Sequence, residues 1–253
     1  MAQISTAAPY GDVAGDDTHA LCARVAALDW PAAERDLNDR GYAVAPALLD
    51  ADACRALAAL YDEPRHFRSR VVMARHGFGR GEYRYFEYPL PATVSLLRMD
   101  LYPRLAAIAN RWNQRLAVPE RFPERHAEFI ARCHAAGQTR PTPLLLSYGP
   151  DDYNCLHQDL YGAHVFPLQV TVLLSAAGEE FTGGELVLTE QRPRRQSRAE
   201  VVPLARGDAV IFAVAQRPVD GARGVYRVNM RHGVSRVRAG ARRTLGIIFH
   251  DAQ

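Results

Sequence analysis

Beyond Thr142 the chain is a succession of short apolar runs: "PLLLSYG", "VFPLQVTVLLS", "GELVLTE", "AEVVPLA", "DAVIFAV", "GVYRVNMRHGVSRV" and "RRTLGIIFH". Turn residues punctuate them as "GGE", "RGD" and "RAGA". Aliphatic and β-branched runs of this length, at roughly regular spacing, specify an antiparallel barrel or sandwich rather than helices. Whatever chemistry such a barrel performs sits in its mouth.

The first half reads differently. From His19 to Asp39 apolar residues fall at helical intervals, with Leu21, Val25 and Leu28 on one side. "GYAVAPALL" alternates like a strand, and "DADACRALAALYD" reads as a helix with Asp50 as its N-cap. Two further helical patterns cover "ATVSLLRMDLYPRLAAIANRWNQRL" and "PERHAEFIARCHAAG", while Met1 to about Asp17 reads as a loose polar tail. A chain of 253 residues, 48% of them hydrophobic, is long enough for one large core and short for two. The expected class is therefore α+β, mostly β. Residues 1–253 are expected to form a single domain, with N-terminal helices and substrate-side elements over 1–139 and the barrel over 140–253.

Cys22, Cys54, Cys133 and Cys155 are scattered, without a CxxC, and read as reduced thiols rather than a zinc site or disulfide framework. No basic start leads into an apolar run, and no apolar stretch is long enough to span a bilayer. The expectation is a cytoplasmic protein with no membrane contact and no obligate protein partner. The formal charge of +3 is modest, and the basic residues are all Arg, which reads first as genome composition.

Within "SYGPDDYNCLHQDLYG" (147–162), His157 and Asp159 are two residues apart and, in an extended segment, point to the same side. His232 in "MRHGVSRV" supplies a third candidate ligand from a late strand. Two His and one carboxylate with an open opposite face suit Fe(II) enzymes that bind a cosubstrate and dioxygen together. Zinc accepts the same ligands. Ten residues on, Arg242 shares a strand face with Thr244, and a guanidinium beside a hydroxyl suits the distal carboxylate of a dicarboxylate. Arg243 is the alternative anchor on the opposite face. Each residue alone also fits a surface ion pair. The ordered set favours a site. His134, His164 and His250 complete no such set and read as structural or supporting.

His157-x-Asp159, His232 and Arg242-x-Thr244 resemble the Fe(II)- and 2-oxoglutarate-dependent dioxygenases, with "FTGGELVL" and "RGDAVIF" as their connecting strands. The resemblance covers Leu144 to Phe249 and implies a double-stranded β-helix, the jelly-roll or cupin-like barrel, supported by N-terminal helices. It implies Fe(II) on His157, Asp159 and His232, and 2-oxoglutarate anchored by Arg242 and Thr244. O2 would be consumed with release of succinate and CO2, ascorbate serving as reductant, and a C–H bond oxidised. The approach to His157 resembles that of the AlkB-type nucleic-acid repair dioxygenases, which implies that Tyr148 hydrogen-bonds the cosubstrate. Here Leu146 replaces the family's Asn, and the Arg-x-Asn-x-Thr-x-Arg ending is absent; Arg-x-Thr resembles prolyl-hydroxylase-like members instead. A closer likeness, carried by "RSRVVMARHGFGRGEYRYFEYPLP" and "LLLSYGPDDYNCLHQDLYG", is to a bacterial branch proposed to oxidise nucleic-acid bases.

In the first of these stretches Arg68, Arg70, Arg75, Arg80 and Arg84 interleave with Phe78, Tyr83, Tyr85, Phe86 and Tyr88. Such a strip offers phosphate contacts and stacking platforms for an extruded or single-stranded base, with Arg80, Tyr83 and Tyr85 as candidate substrate residues. Arg192, Arg194, Arg195 and Arg198 add a basic loop over 191–198. Core packing of the aromatics and a solvated Arg face is the plain alternative. Three functions follow: a DNA-repair oxygenase that demethylates a damaged base, a hydroxylase of a protein side chain or small metabolite, and a non-catalytic metal- or ligand-binding barrel.

Overall fold

The computed structural model describes residues 15–253, so most of the stretch read as a loose tail lies outside the described residues. The helical stretch expected from His19 to Asp39 is two helices, α1 (Gly15–Ala27) and α2 (Trp30–Arg40). Asp29 makes the break: its carboxylate accepts from the Ala32 amide at 2.9 Å and caps α2, with Pro31 in the first turn. Gly41, at φ 82°, ends α2 and returns its amide to the Leu37 carbonyl. Then come β1 (Tyr42–Ala45) and α3 (Ala51–Ala59), whose N-cap is Asp50 as expected.

The Arg/Tyr stretch forms strands: β2 (Phe67–Val72), β3 (Gly79–Arg80) and β4 (Glu82–Phe86). The helices α4 (Ala92–Arg115) and α5 (His126–Ala135) follow. Next are β5 (Leu144–Tyr148), β6 (Tyr153–His157), β7 (Leu168–Leu173), β8 (Phe181–Gly183), β9 (Leu186–Gln191) and β10 (Arg198–Val202). The chain ends with β11 (Ala209–Ala213), β12 (Gln216–Gly221), β13 (Gly224–Val234), β14 (Val237–Gly240) and β15 (Arg242–Ile247).

The larger sheet has seven strands in the order β1-β11-β7-β15-β5-β4-β2, and the smaller runs β10-β9-β13-β6-β3, with β12 on β13. Their pairings are antiparallel throughout, and together they form the double-stranded β-helix expected. Three strands of the larger sheet, β1, β2 and β4, come from the first half of the chain.

Strand alternation then places the site. On β15, Leu245 and Ile247 join the core under the helices, while Arg242, Thr244 and Gly246 face the barrel cavity. On β7, Val170 and Val172 face the core, and Gln169 and Thr171 face the cavity. On β5, Leu145 packs inward while Leu144, Leu146 and Tyr148 line the cavity. The helical layer is the apolar face of α4, including Val94, Leu97, Leu101 and Leu105, against these strands. Each such side chain removed from water contributes about 1.5–3 kcal/mol. Packing of that density holds the polar face of β15 in one register.

Candidate active site

Register brings the two histidines together. His232 on β13 is the cross-strand partner of His157 at the end of β6, and their rings lie 4.1 Å apart. Asp159 lies past the end of β6, so simple strand alternation does not place it. Instead the Gln158 side chain donates from Nε2 to the carbonyls of Met230 at 2.8 Å and Ala215 at 3.1 Å, pinning the residue between the two histidine-bearing segments, and Asp159 follows facing both histidines. Asp159 Oδ2 is 3.3 Å from His232 Nε2, and Oδ1 is 3.5 Å from His157 Nε2. One ligand atom from each of the three residues falls within 4.8 Å of the others, the only such cluster among the described residues.

The protonation states suit a cation. The Cys155 carbonyl can only accept, so His157 Nδ1, 2.8 Å away, carries the proton and Nε2 keeps its lone pair toward Asp159. Burial and the neighbouring His232 lower the His157 pKa and keep the ring neutral. Burial works to raise Asp159, but His232, His157 and the Tyr161 hydroxyl outweigh it and hold the carboxylate ionised. Neutral imidazole and ionised carboxylate are the forms that bind a metal.

Across the cavity, Arg242 is 2% exposed, yet its Nε and Nη1 have no hydrogen-bond partner. The Tyr148 hydroxyl, 1% exposed and the cross-strand partner of Arg242, is likewise unpartnered. Burial raises the Tyr148 pKa, so its oxygen carries a proton to donate. Thr244 is buried on the same cavity wall. A buried guanidinium and a phenol without acceptors is costly unless an anion completes them. This is a fit for a dicarboxylate. Arg243 is turned away: it donates to the Ala58 carbonyl at 2.7 Å and lies over the Tyr61 ring.

The same cavity, about 360 Å³, is walled by Tyr83, Tyr85, Phe78, Tyr161 and Leu146. Tyr83 and Tyr85 are therefore beside the candidate metal position, whereas Arg80 is exposed on β3 and does not line it. The loop at 192–198 does not line it either, and Arg192 is paired with Glu190 at 2.8 Å. Of the remaining histidines, His134 donates to Asp251 at 2.8 Å, His164 lies 3.6 Å from Glu120, and His250 is buried behind Tyr161.

Two supporting residues escaped the sequence reading. Tyr161 donates to Asp159 Oδ1 at 2.7 Å. Gln138, fully buried, clamps the loop that carries Tyr161 by donating to the carbonyls of Tyr161, His164 and Asp251 and accepting from the His164 amide. Gly162, at φ 84°, packs on that amide where a Cβ would collide. The spacing of Tyr161, two residues past Asp159, was the available signal; Gln138 had none.

The Oxygenase-NA family, described as an oxygenase catalysing oxidative methylation of damaged DNA, matches residues 81–252. The uncharacterized protein Rv2227 of Mycobacterium tuberculosis (strain H37Rv) is 47% identical over 167 residues, covering 66% of this chain and 72% of that protein. Among solved structures, a prolyl hydroxylase from Trichoplax adhaerens in complex with a hypoxia inducible factor peptide aligns with TM-score 0.54 at 12% identity, over 93% of each chain. A 2OG-Fe(II) oxygenase family oxidoreductase from Burkholderia pseudomallei aligns with TM-score 0.52 at 16% identity, over 89% of this chain and 93% of that one. A prolyl-4-hydroxylase from Pseudomonas putida gives TM-score 0.51 at 15% identity, over 88% and 99%. Identities this low establish the fold. The family match sets aside the non-catalytic barrel: the chain belongs to the Oxygenase-NA family, and its fold is the double-stranded β-helix that those 2OG-Fe(II) oxygenase structures share.

Proposed function

We propose that this chain oxidises a methyl group on a damaged nucleic-acid base, with His157, Asp159 and His232 holding Fe(II) and with Arg242, Thr244 and Tyr148 holding 2-oxoglutarate. The observation that carries the reading is one cavity with a His-Asp-His cluster at one end and unpartnered buried Arg242 and Tyr148 at the other. When bound, the metal and cosubstrate supply the oxidation: O2 is consumed, 2-oxoglutarate leaves as succinate and CO2, and one oxygen atom enters a C–H bond of the second substrate. Oxygen inserted into an N-methyl group gives a hemiaminal that releases formaldehyde and the unmethylated base.

This chain's residues bind and position. The guanidinium of Arg242 offers two free donors to the distal carboxylate, and the Tyr148 hydroxyl a third. Asp159, ionised and oriented by Tyr161, presents charge to the cation, and His157 Nε2 presents a lone pair fixed by the Cys155 carbonyl. Tyr83 and Tyr85 form an aromatic wall suited to a planar ring, while Arg80 is exposed on β3 outside the cavity. The family description supports a nucleic-acid substrate.

A second reading, hydroxylation of a protein side chain or metabolite, is favoured by the Arg242-x-Thr244 ending, which resembles that of prolyl-hydroxylase-like members. One assay separates the two: succinate and formaldehyde release with Fe(II), ascorbate and 2-oxoglutarate, with and without a methylated single-stranded oligonucleotide, using Asp159→Ala as the blank. We expect both products to rise with the oligonucleotide and vanish in the blank. Succinate release that is lost in the blank but indifferent to methylated DNA and RNA would overturn the base as substrate and favour the second reading.

A further inference from the structure

The basic and aromatic strip at 68–88 divides in two once its contacts are followed. Arg68 donates to the Pro141 carbonyl at 2.9 Å and lies over the Tyr85 ring. Arg70 is paired with Glu82 at 2.6 Å, and Arg84 donates to the Tyr61 carbonyl at 2.8 Å. Phe86 is fully buried, and the Tyr88 hydroxyl donates to Asp251 at 3.0 Å. These contacts tie the residues into the sheet and the segments packed on it.

What remains is the turn "RHGFGRG" between β2 and β4, which contains no acid. Arg75 and Arg80 are exposed, and neither guanidinium has a hydrogen-bond or ion-pair partner among the described residues. Phe78 is 48% exposed at the rim of the cavity. One side of its ring is covered by His76, stacked at 5.3 Å and 22°. The turn is held against the catalytic strand: the Cys155 amide donates to the Phe78 carbonyl at 2.9 Å, and Gly79 pairs with Asn154. At Gly79, φ is 130° and a Cβ would strike the Tyr153 carbonyl, so only glycine lets the turn lie this close. Phe78 is thereby fixed beside the strand that ends in His157. Leu156, 42% exposed, extends the same apolar rim.

A half-exposed phenyl backed by an imidazole, with two uncompensated guanidinium groups within three residues, is the composition that binds unpaired nucleotides: a flat face for a base, cations for phosphates. A base inside a duplex has both faces covered by its neighbours and cannot use such a platform. Resting on the nucleic-acid reading above, we propose that the Arg75–Gly81 turn selects single-stranded over duplex nucleic acid, Phe78 stacking on a base next to the one in the cavity and Arg75 and Arg80 contacting its flanking phosphates.

The test uses the full chain and a fluorescently labelled oligothymidylate, read by anisotropy over a salt series, beside a duplex of equal length. We expect the single strand to bind more tightly. Phe78→Ala should weaken it about ten-fold with an unchanged salt dependence. Phe78→Leu, which keeps apolar bulk and loses the flat face, should be weakened nearly as much, and the melting temperature of each variant shows that it is folded. Arg75→Ala with Arg80→Ala should lower the slope of log affinity against log salt by roughly 0.7 per arginine. Wild-type affinity in folded Phe78 variants, or equal affinity for duplex, would overturn the turn's role while leaving the base-oxidase reading intact. A wild-type protein that binds neither form, and releases succinate only with peptides or metabolites, would overturn both.

Discussion

Two buried arginines in this molecule have opposite fates. Arg98 on α4, 2% exposed, spends its guanidinium fully: Nη2 donates to Asp251 at 2.7 Å, Nη1 to the Tyr88 hydroxyl at 2.9 Å, and Nε to the Ile248 carbonyl at 3.0 Å. Asp251, fully buried, also accepts from Tyr88 and His134. Arg242 on β15 is equally buried and finds no acceptor for Nε or Nη1. One region uses a buried charge to tie α4, α5 and the C-terminal segment together. The other leaves a buried guanidinium with free donors, so on the function proposed above the difference separates an architectural cation from a ligand-binding one.

The largest expected effect breaks the paired side. Asp251→Ala leaves Arg98 buried without its counter-charge and should destabilise the fold by about 3–5 kcal/mol, measured by urea unfolding. A loss below about 1 kcal/mol would mean that Arg98 is not held as drawn. The opposite variant is Arg242→Leu, which removes a buried cation that has no ion-pair partner among the described residues. Its metal-free, cosubstrate-free stability should be unchanged or higher, while KM for 2-oxoglutarate rises about 100-fold, as expected for losing two hydrogen bonds to a charged group at about 1.5 kcal/mol each. Destabilisation with an unaltered KM would reverse the assignment of the two arginines.

A smaller effect sharpens the cavity side. Tyr161→Phe deletes the hydroxyl that holds Asp159 Oδ1 and leaves the ring in place. Co(II) titrated into the metal-free protein should bind about ten-fold more weakly, with a shifted visible absorption and little change in melting temperature. Binding equal to wild type would show that the two histidines orient Asp159 unaided.

How legible each region is in the sequence follows from the same contrast. His157, His232 and Arg242 are readable because strand alternation and order along the chain carry their placement, and the barrel repeats that period many times. Arg98 and Asp251 are 153 positions apart on a helix and a C-terminal tail, and no local period links them. Gln138 is hidden for the same reason: it acts on a loop 23 to 26 residues away through backbone carbonyls, which any sequence supplies. The Arg/Tyr strip was visible as composition but not as contacts, so it could not be divided into Arg68, Arg70 and Arg84, which serve the sheet, and Arg75 and Arg80, which face solvent. Apolar spacing continues across Asp29 and hides the helix break there, although Asp29 and Pro31 are ordinary start signals.

The architectural side should also be the more acid-sensitive. His126 donates to the Phe249 carbonyl at 2.8 Å, and burial with the nearby Arg98 charge pushes its pKa down to about 3; His250, under the same two influences, falls to about 4. Asp251 opposes both shifts, and Asp159 that of His250, without overcoming them. Both folded values lie below the unfolded histidine value of about 6.5, so between pH 6 and pH 5 the unfolded chain takes up protons that the folded one refuses. Stability therefore falls as pH falls through that window, before carboxylates begin to titrate. Each histidine contributes up to about 1.4 kcal/mol per pH unit. His126→Gln keeps an amide donor for the Phe249 carbonyl and removes one titrating group, so urea unfolding of the metal-free protein at pH 6 and pH 5 should show a shallower decline than wild type. Equal declines would mean that His126 is protonated in the fold, and the cluster around Arg98 would then hold a second cation beside a single carboxylate, Asp251, that is already paired with Arg98.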